Sequence, residues 1–288
     1  MPLCVDLHTH STASDGTDSP KELIDNAHKA GLRAVAITDH DTLSGLQEGQ
    51  KAAASYDNFD FVRGVEISTG SSQGDMHILG LWVPEDAEPL EKVLAEMRVK
   101  RTSRNERMVE LIAAAGVSIT MDDVMKEANG DSVGRPHIAR AIVTKGYAKD
   151  LNDAFARYVG AGCATYIAKE VLRPEEAVAL LAKIGASPVL AHPMLKPYPP
   201  GWIEEFVKKL VPFGLCGIEA WHSEHTDEDT QAVLAIARRY HLCVSGGSDY
   251  HGKNKPHIAL GTGYGSLCVQ ADAYERLLDW RKDHHLPC

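Results

Sequence analysis

Leu3-Cys4-Val5-Asp6-Leu7-His8-Thr9-His10 is the stretch from which the fold can be read. It begins as an apolar run and ends on two histidines one residue apart. Alternate side chains of a strand point to one face, so His8 and His10 face the same way. Two neutral imidazoles aimed at one point, at a strand end, form half of a metal site. The pattern returns near the other end of the chain in Val244-Ser245-Gly246-Gly247-Ser248-Asp249-Tyr250-His251, where Asp249 and His251 have the same spacing after another apolar run. Ligand pairs so distant in sequence, on similar strand ends, point to a closed sheet with one shared mouth.

The segments between these ends supply the rest of such a sheet. Leu3–Leu7 reads as a strand, and Ser19-Pro20-Lys21-Glu22 opens a helix with Ser19 as N-cap, Pro20 at the first position and Glu22 completing a capping box. Gly31 closes that helix; Ala34–Thr38 is the next strand and Thr42–Ser55 the next helix. The βαβα rhythm implies parallel strands with helices packed outside. Phe61–Ser68 and Met76–Val83 read as a hairpin around the turn Thr69–Gly74. After a helix at Pro174–Ile184 the rhythm resumes: strand Pro188–Ala191, helix Ile203–Val211, strand Leu215–Glu219, helix Asp227–Tyr240, strand Leu242–Ser245 and a last helix from Ala271 to Asp283. Residues 100–165 break it and read as helices only: the end of a long helix Pro89–Ala115, then Met121–Ala128, Pro136–Lys145 and Leu151–Val159. The chain is thus expected to be an α/β protein, a β/α barrel formed by residues 1–99 and 166–288, with a small helical subdomain at 100–165 inserted as a substrate cap.

Composition narrows the function. The net charge of −10 argues against a grip on long nucleic acid, which needs an extended basic surface; a small phosphorylated substrate in a locally basic pocket is still compatible with it. No apolar run is long enough to span a bilayer, and no signal-like segment opens the chain, so a cytoplasmic protein with no membrane contact and no obligate protein partner is expected. The six cysteines, Cys4, Cys163, Cys216, Cys243, Cys268 and Cys288, are scattered without a Cys-x-x-Cys pair, and reduced thiols are expected.

Several predicted strands end in a candidate ligand. Asp39-His40 follows Ala34–Thr38, Glu66 follows Val62–Val65, and His192-Pro193 ends Val189–Ala191; Leu215–Ile218 ends at Glu219 with His222 just beyond. Functional residues of β/α barrels gather at the C-terminal ends of the strands. His77 begins its strand instead, but that strand runs in reverse; a hairpin turning about Ser71-Ser72 would set Glu66 directly opposite His77. With Asp15 in the loop after His10, the candidate ligands are His8, His10, Asp15, His40, Glu66, His77, His192, Asp249 and His251. A lone histidine at a strand end is ordinarily structural, but nine ligand-type residues on one face are too many for that, and too many for one ion. Imidazoles and carboxylates without thiolates suit manganese, iron or zinc in a multinuclear cluster, and a carboxylate such as Glu66 can bridge two ions.

Taken together, His8-Thr9-His10, Thr38-Asp39-His40, Glu66, His77, Ala191-His192-Pro193 and Ser248-Asp249-Tyr250-His251 resemble the PHP (polymerase and histidinol phosphatase) family, a branch of the amidohydrolase superfamily, over nearly the whole chain. The resemblance implies a distorted (β/α)7 barrel with three divalent ions, manganese foremost. One ion would take His8, His10, Glu66 and Asp249, a second would share Glu66 and add His77 and His192, and a third would take Asp15, His40 and His251. Many members carry His where this chain has Asp15, which implies a third site that is weaker or prefers a harder ion.

Groups that would hold an anion lie in the insert. Pro136 suits a first helical turn, so Arg135 and His137 flank a helix N-terminus, where free N–H groups attract anions and Arg adds a bidentate fork. In the long helix, Leu90, Leu94, Met97, Met108, Leu111 and Ala115 trace one apolar stripe, which Arg101, Arg104 and Asn105 interrupt. Buried polar groups need partners, and a bound phosphate would serve. His257 follows the last ligand pair and could meet an anion, whereas Lys253 and Lys255 read as a solvated loop.

Clustered ions beside anion-binding groups point to phosphate ester hydrolysis. A metal-bridging hydroxide would attack phosphorus, Arg135 would offset charge on the equatorial oxygens, and His222 would protonate the leaving oxygen or touch the substrate. The Gly134-Arg135-Pro136-His137 segment and Asp15 look most like the 3′,5′-nucleoside bisphosphate phosphatase branch of the family, which implies removal of a 3′-phosphate from molecules such as adenosine 3′,5′-bisphosphate. Short RNA cleaved from its 5′ end, histidinol phosphate, and a non-catalytic metal-binding module are the competing expectations.

Overall fold

The computed structural model describes residues 4–128 and 133–288; Leu3, read as the first residue of the opening strand, lies outside them. The strands are β1 (Cys4–Asp6), β2 (Ala34–Ile37), β3 (Asp60–Ser71), β4 (Gly74–Leu81), β5 (Ser187–Leu190), β6 (Gly217–His222), β7 (Cys243–Gly247) and β8 (Val269–Gln270). They form one sheet in the order β7-β6-β5-β4-β3-β2-β1-β8. Among the described residues, only β4 and β8 pair antiparallel to their neighbours. The sheet closes where β1 runs out beside β7. Leu7 N–H donates to Gly246 O at 3.1 Å, Asp249 N–H to His8 O at 2.9 Å and His10 N–H to Tyr250 O at 2.9 Å. Strands β1 to β7 therefore make the barrel, and β8 is a two-residue addition outside β1 that the sequence did not announce. Gly247 permits the closure, since a Cβ there would lie 2.4 Å from the His8 Cβ.

Helices α1 (Pro20–Lys29), α2 (Leu46–Ala53), α7 (Pro174–Lys183), α8 (Trp202–Leu210), α9 (Asp227–Arg239) and α10 (Ala271–Asp283) belong to the β/α alternation. Their starts follow local chemistry. The Ser19–Glu22 capping box and Pro20 open α1, and the Thr226–Asp229 capping box opens α9. α2 starts four residues later than expected, because the Thr42 hydroxyl accepts the Ser44 N–H in a turn that competes with the helix.

Between β4 and β5 lie α3 (Glu88–Ala114), α4 (Met121–Lys126), α5 (Arg135–Thr144), α6 (Leu151–Ala154) and a π-helical turn over Phe155–Val159. Helix α3 serves two cores. Leu90, Leu94 and Met97 pack into the barrel cluster with Ile67 and Ile78, whereas Met108, Val109 and Ile112 pack with Ile138, Ile142 and Val159. The expected stripe is corrected in its second half, where Val109 and Ile112 are buried and Ala115 is exposed. A helix with 3.6 residues per turn cannot keep one residue spacing facing two differently placed bodies.

Two further expectations change. Cys4 and Cys268 form a disulfide, with Cα atoms 5.4 Å apart, so the thiols are not all reduced. The unforeseen β1–β8 pairing, which sets Cys4 opposite Gln270, brings them together. The hairpin turns one residue later than supposed, so that His77 faces Ser68 and Glu66 faces Leu79. Among the described residues no helix is long and apolar enough to cross a membrane.

Candidate metal centre

The nine candidate ligands converge on the barrel mouth. β1 delivers His8 and His10, β2 runs into His40, β3 carries Glu66, β4 carries His77, β5 runs into His192, and β7 leads to Asp249 and His251. The hairpin shift keeps His77 on the right face, because a two-residue change of pairing preserves the alternation: His77 Nδ1 lies 2.7 Å from Glu66 Oε1. Glu66 is the hub. Its Oε1 also lies 2.9 Å from His192 Nε2, and its Oε2 lies 3.0 Å from His40 Nδ1, 3.2 Å from His10 Nε2 and 3.4 Å from His8 Nε2. Asp249 Oδ1 lies 3.3 Å from His10 Nε2 and 3.4 Å from His251 Nδ1; Asp15 Oδ1 lies 3.2 Å from His251 Nε2. His192 (φ 25°) and Asp249 (φ 56°) hold left-handed backbone conformations, as does Asp41 (φ 52°) beside His40. Such backbone cost persists where the surrounding structure over-determines it.

These residues fit divalent ions. His8 Nε2, both ring nitrogens of His10, His40 Nδ1 and Glu66 Oε2 are buried without a hydrogen-bond partner, a costly state that cations would relieve. Ligand atoms of His10, Asp15, His40 and His251 lie within 4.8 Å of one another, as do those of His8, His10 and Glu66, and those of His40, Glu66 and His77. Burial pushes the Glu66 carboxyl up, but His40, His77 and His8 outweigh it and hold it well below the usual carboxylate range. Asp15 and Asp249 are likewise held down against burial, chiefly by His251 and Lys255 respectively.

Outer carboxylates fix the inner groups. Glu219 accepts from His8 Nδ1 at 3.1 Å and from the His192 N–H at 2.7 Å, so His8 carries its proton on Nδ1 and keeps Nε2 for an ion. Asp6 accepts from the Ser248 hydroxyl at 2.6 Å and the Gly261 N–H at 2.7 Å. Asp39 accepts from the Ser11 and Ser14 hydroxyls, each at 2.6 Å. The sequence displayed Glu219 at a strand end, but a buried carboxylate behind a ligand looks the same there as a ligand itself. His222 lies within β6, not beyond it. Its Nδ1 accepts the Glu224 N–H at 3.1 Å, so its proton sits on Nε2, 3.5 Å from Asp249 Oδ2.

A cavity of about 300 Å3 opens beside the cluster, lined by Asp15, His40, His77 and His192 and also by Arg101, Arg135 and Lys169. Arg135 is held between the Phe155 and Tyr166 rings, 6.0 and 5.3 Å from their centroids, and 3.6 Å from Asp75. Arg101 pairs with the fully buried Asp41. Arg104 lies behind, with its Nε and Nη1 buried and without hydrogen-bond partners. Burial, then Arg101, pulls the Lys169 ammonium down to about 7. Lys169 was not foreseen, since a lone lysine in a loop carries no signal.

Five expected substrate contacts do not line this cavity: Arg104 and His222, described above, and His137, Asn105 and His257. His137 Nδ1 accepts the Gly134 N–H at 3.0 Å and caps α5; burial, then Arg140, lowers its pKa to about 4, so it is neutral. The Asn105 amide donates to Val133 O at 2.9 Å and is a strut. His257 is exposed, in the loop beyond β7, and lines a separate groove. Lys255, read as solvated, instead reaches in and pairs with Asp249.

Comparison with known proteins agrees with this geometry. The PHP domain matches residues 6–160, just over half of the chain. A 3′,5′-nucleoside bisphosphate phosphatase of Chromobacterium violaceum is 34% identical over 249 residues, covering 86% of this chain and 87% of that protein. The 5′-3′ exoribonuclease Rnm of Escherichia coli is 30% identical over 257 residues, covering 89% and 87%. The solved structure of a Bifidobacterium adolescentis protein assigned as a metal-dependent phosphoesterase matches with a TM-score of 0.85 at 32% identity, over 97% of each chain. With the barrel mouth described above, these matches make the chain a metal-dependent phosphoesterase. It belongs to the PHP family.

Proposed function

We propose that the protein removes the 3′-phosphate of nucleoside 3′,5′-bisphosphates such as adenosine 3′,5′-bisphosphate, giving the 5′-monophosphate and phosphate. One observation carries this reading: a single cavity is lined both by the candidate ligands and by a group of cations, Arg101, Arg135 and Lys169, with Arg104 nearby, whose Nε and Nη1 lack partners. Two anion sites in one cavity suit a substrate with two phosphates. Residues 100–165 act as the cap that brings most of the second site to the barrel.

His8, His10, Glu66 and Asp249 would hold one divalent ion, Glu66, His77 and His192 a second, and Asp15, His40 and His251 a third; the mixed imidazole and carboxylate donors suit manganese, iron or zinc, of which manganese is the one proposed. Bound ions would supply an activated water and neutralise phosphate charge. Arg135, braced by Asp75 and two rings, binds the second phosphate as a preset fork. His222 is a neutral ring, because its Nδ1 accepts the Glu224 N–H; its Nε2 proton faces the cluster and donates a hydrogen bond to the leaving 3′-oxygen, whose own proton comes from water. The net charge of −10 keeps the cationic surface local, which supports short substrates over long ones.

A second reading, 5′-to-3′ cleavage of short RNA, draws on a neighbouring groove of about 600 Å3 that shares Leu195, Lys196 and Tyr198 with the cavity and leaves room for a following nucleotide. A phosphate-release and product-length assay on manganese-loaded protein separates the readings. Adenosine 3′,5′-bisphosphate should be the best substrate of a panel with 5′-phosphorylated short RNA and histidinol phosphate. Release from histidinol phosphate alone would overturn the proposal.

A further inference from the structure

We infer that Lys255 is a positioning residue of the metal centre, one that turns the Asp249 carboxylate so that a single oxygen, Oδ1, is presented to the ions. The two oxygens of Asp249 stand in different surroundings. Oδ1 faces His10 Nε2 at 3.3 Å, His251 Nδ1 at 3.4 Å and His8 Nε2 at 3.7 Å. Oδ2 faces the Lys255 ammonium, which pairs with it closely, and His222 Nε2 at 3.5 Å. Because His222 Nδ1 accepts the Glu224 N–H, its Nε2 carries the proton, so both groups facing Oδ2 are donors.

The backbone adds to the asymmetry. Asp249 sits at φ 56° with its N–H committed to His8 O at 2.9 Å, which fixes where its side chain starts. Lys255 reaches it from a turn whose N–H donates to Gly252 O at 3.2 Å. An ammonium gives Oδ2 a charge-assisted bond, about twice as strong as a neutral one. His222 Nε2, 3.5 Å away, makes no hydrogen bond of its own, so Lys255 alone keeps Oδ2 engaged. Without it the carboxylate is free to swing and take an ion through both oxygens.

The inference rests on the metal-centre reading but not on the identity of the substrate. Its test uses cobalt(II) as the probe, because the visible spectrum reports coordination number. Wild type, Lys255→Met and Lys255→Arg are loaded to equal measured stoichiometry, and folding of each is checked by thermal melting. Lys255→Met should show a weaker, shifted cobalt band and a kcat reduced by about tenfold or more at unchanged KM, the usual scale for a residue behind a ligand; Lys255→Arg should keep the wild-type band. A Lys255→Met band identical to wild type overturns the inference, and so does a band altered equally in both variants. Failure of wild type to bind cobalt would instead overturn the metal-centre reading. If Lys255→Met does not fold, Lys255→Gln replaces it with the same expectation.

Discussion

At the scale of single residues, the role of each histidine follows from which ring nitrogen the backbone or a carboxylate has already claimed. Glu219 claims His8 Nδ1 and the Asp249 carbonyl claims His251 Nδ1, leaving Nε2 of each for an ion. Backbone N–H groups claim Nδ1 of His137 and His222, so those rings hold a proton on Nε2. His137→Leu should therefore cost about 1 kcal/mol of stability as a lost helix cap, with KM unchanged, and His137→Asn should restore it; urea unfolding and steady-state kinetics check both. The folded His137 titrates near 4 against 6.5 when exposed, so the unfolded chain binds a proton that the folded one refuses between those values. Its contribution is intact above 6.5 and is lost as pH falls through about 4, and His137→Asn should flatten that part of the acid limb. Arg104 makes an expectation of opposite signs. Its unpartnered Nε and Nη1 cost the substrate-free protein stability, so Arg104→Met should raise the melting temperature by a few degrees, on the order of 1–3 kcal/mol, while raising KM for a bisphosphate. A sequence shows that a histidine or arginine stands near a mouth, but not which of its nitrogens is spoken for; hence the convergence of the nine candidate ligands was legible and the hydrogen bonds of His137, Asn105 and Glu219 were not.

At the scale of elements, parity mattered more than exact register. The hairpin turn was placed one residue early, yet His77 still meets Glu66 because pairing changed by two positions and the face was kept. Strand and helix order was readable because caps, glycines and apolar runs are local signals, as the Ser19–Glu22 box shows. Strand β8 and the Cys4–Cys268 disulfide were not, because the partners lie 264 residues apart and Val269–Gln270 is too short to carry a pattern. The β1–β7 closure is the element contact the site most depends on. Gly247→Ala would drive a methyl group into the His8 backbone and Cβ. We expect it to cost about 1–3 kcal/mol and to lower manganese stoichiometry, measured by metal analysis after gel filtration; full manganese retention would show that His8 does not depend on this contact.

At the scale of the whole molecule, the barrel gathers three candidate-ligand carboxylates and seven imidazoles, counting His222, at one end of a chain with a net charge of −10. Long-range positive potential is absent, and attraction for an anion is local to the cavity and its bound ions. Ions that bind only the folded state stabilise it by mass action, so manganese should raise the melting temperature of chelator-treated protein in a concentration-dependent way. Helix α3 packs into both hydrophobic clusters, and its Arg101 lines the cavity together with the candidate ligands. The central claim is that the ligand cluster and the cations are two separate anion sites. It is tested most directly by kcat/KM for adenosine 3′,5′-bisphosphate and for adenosine 3′-monophosphate, in wild type and in Arg135→Ala. The expected result is a loss of about tenfold to a hundredfold on the bisphosphate, the scale of a charged hydrogen bond, with the monophosphate little changed. Equal losses on both substrates would contradict it.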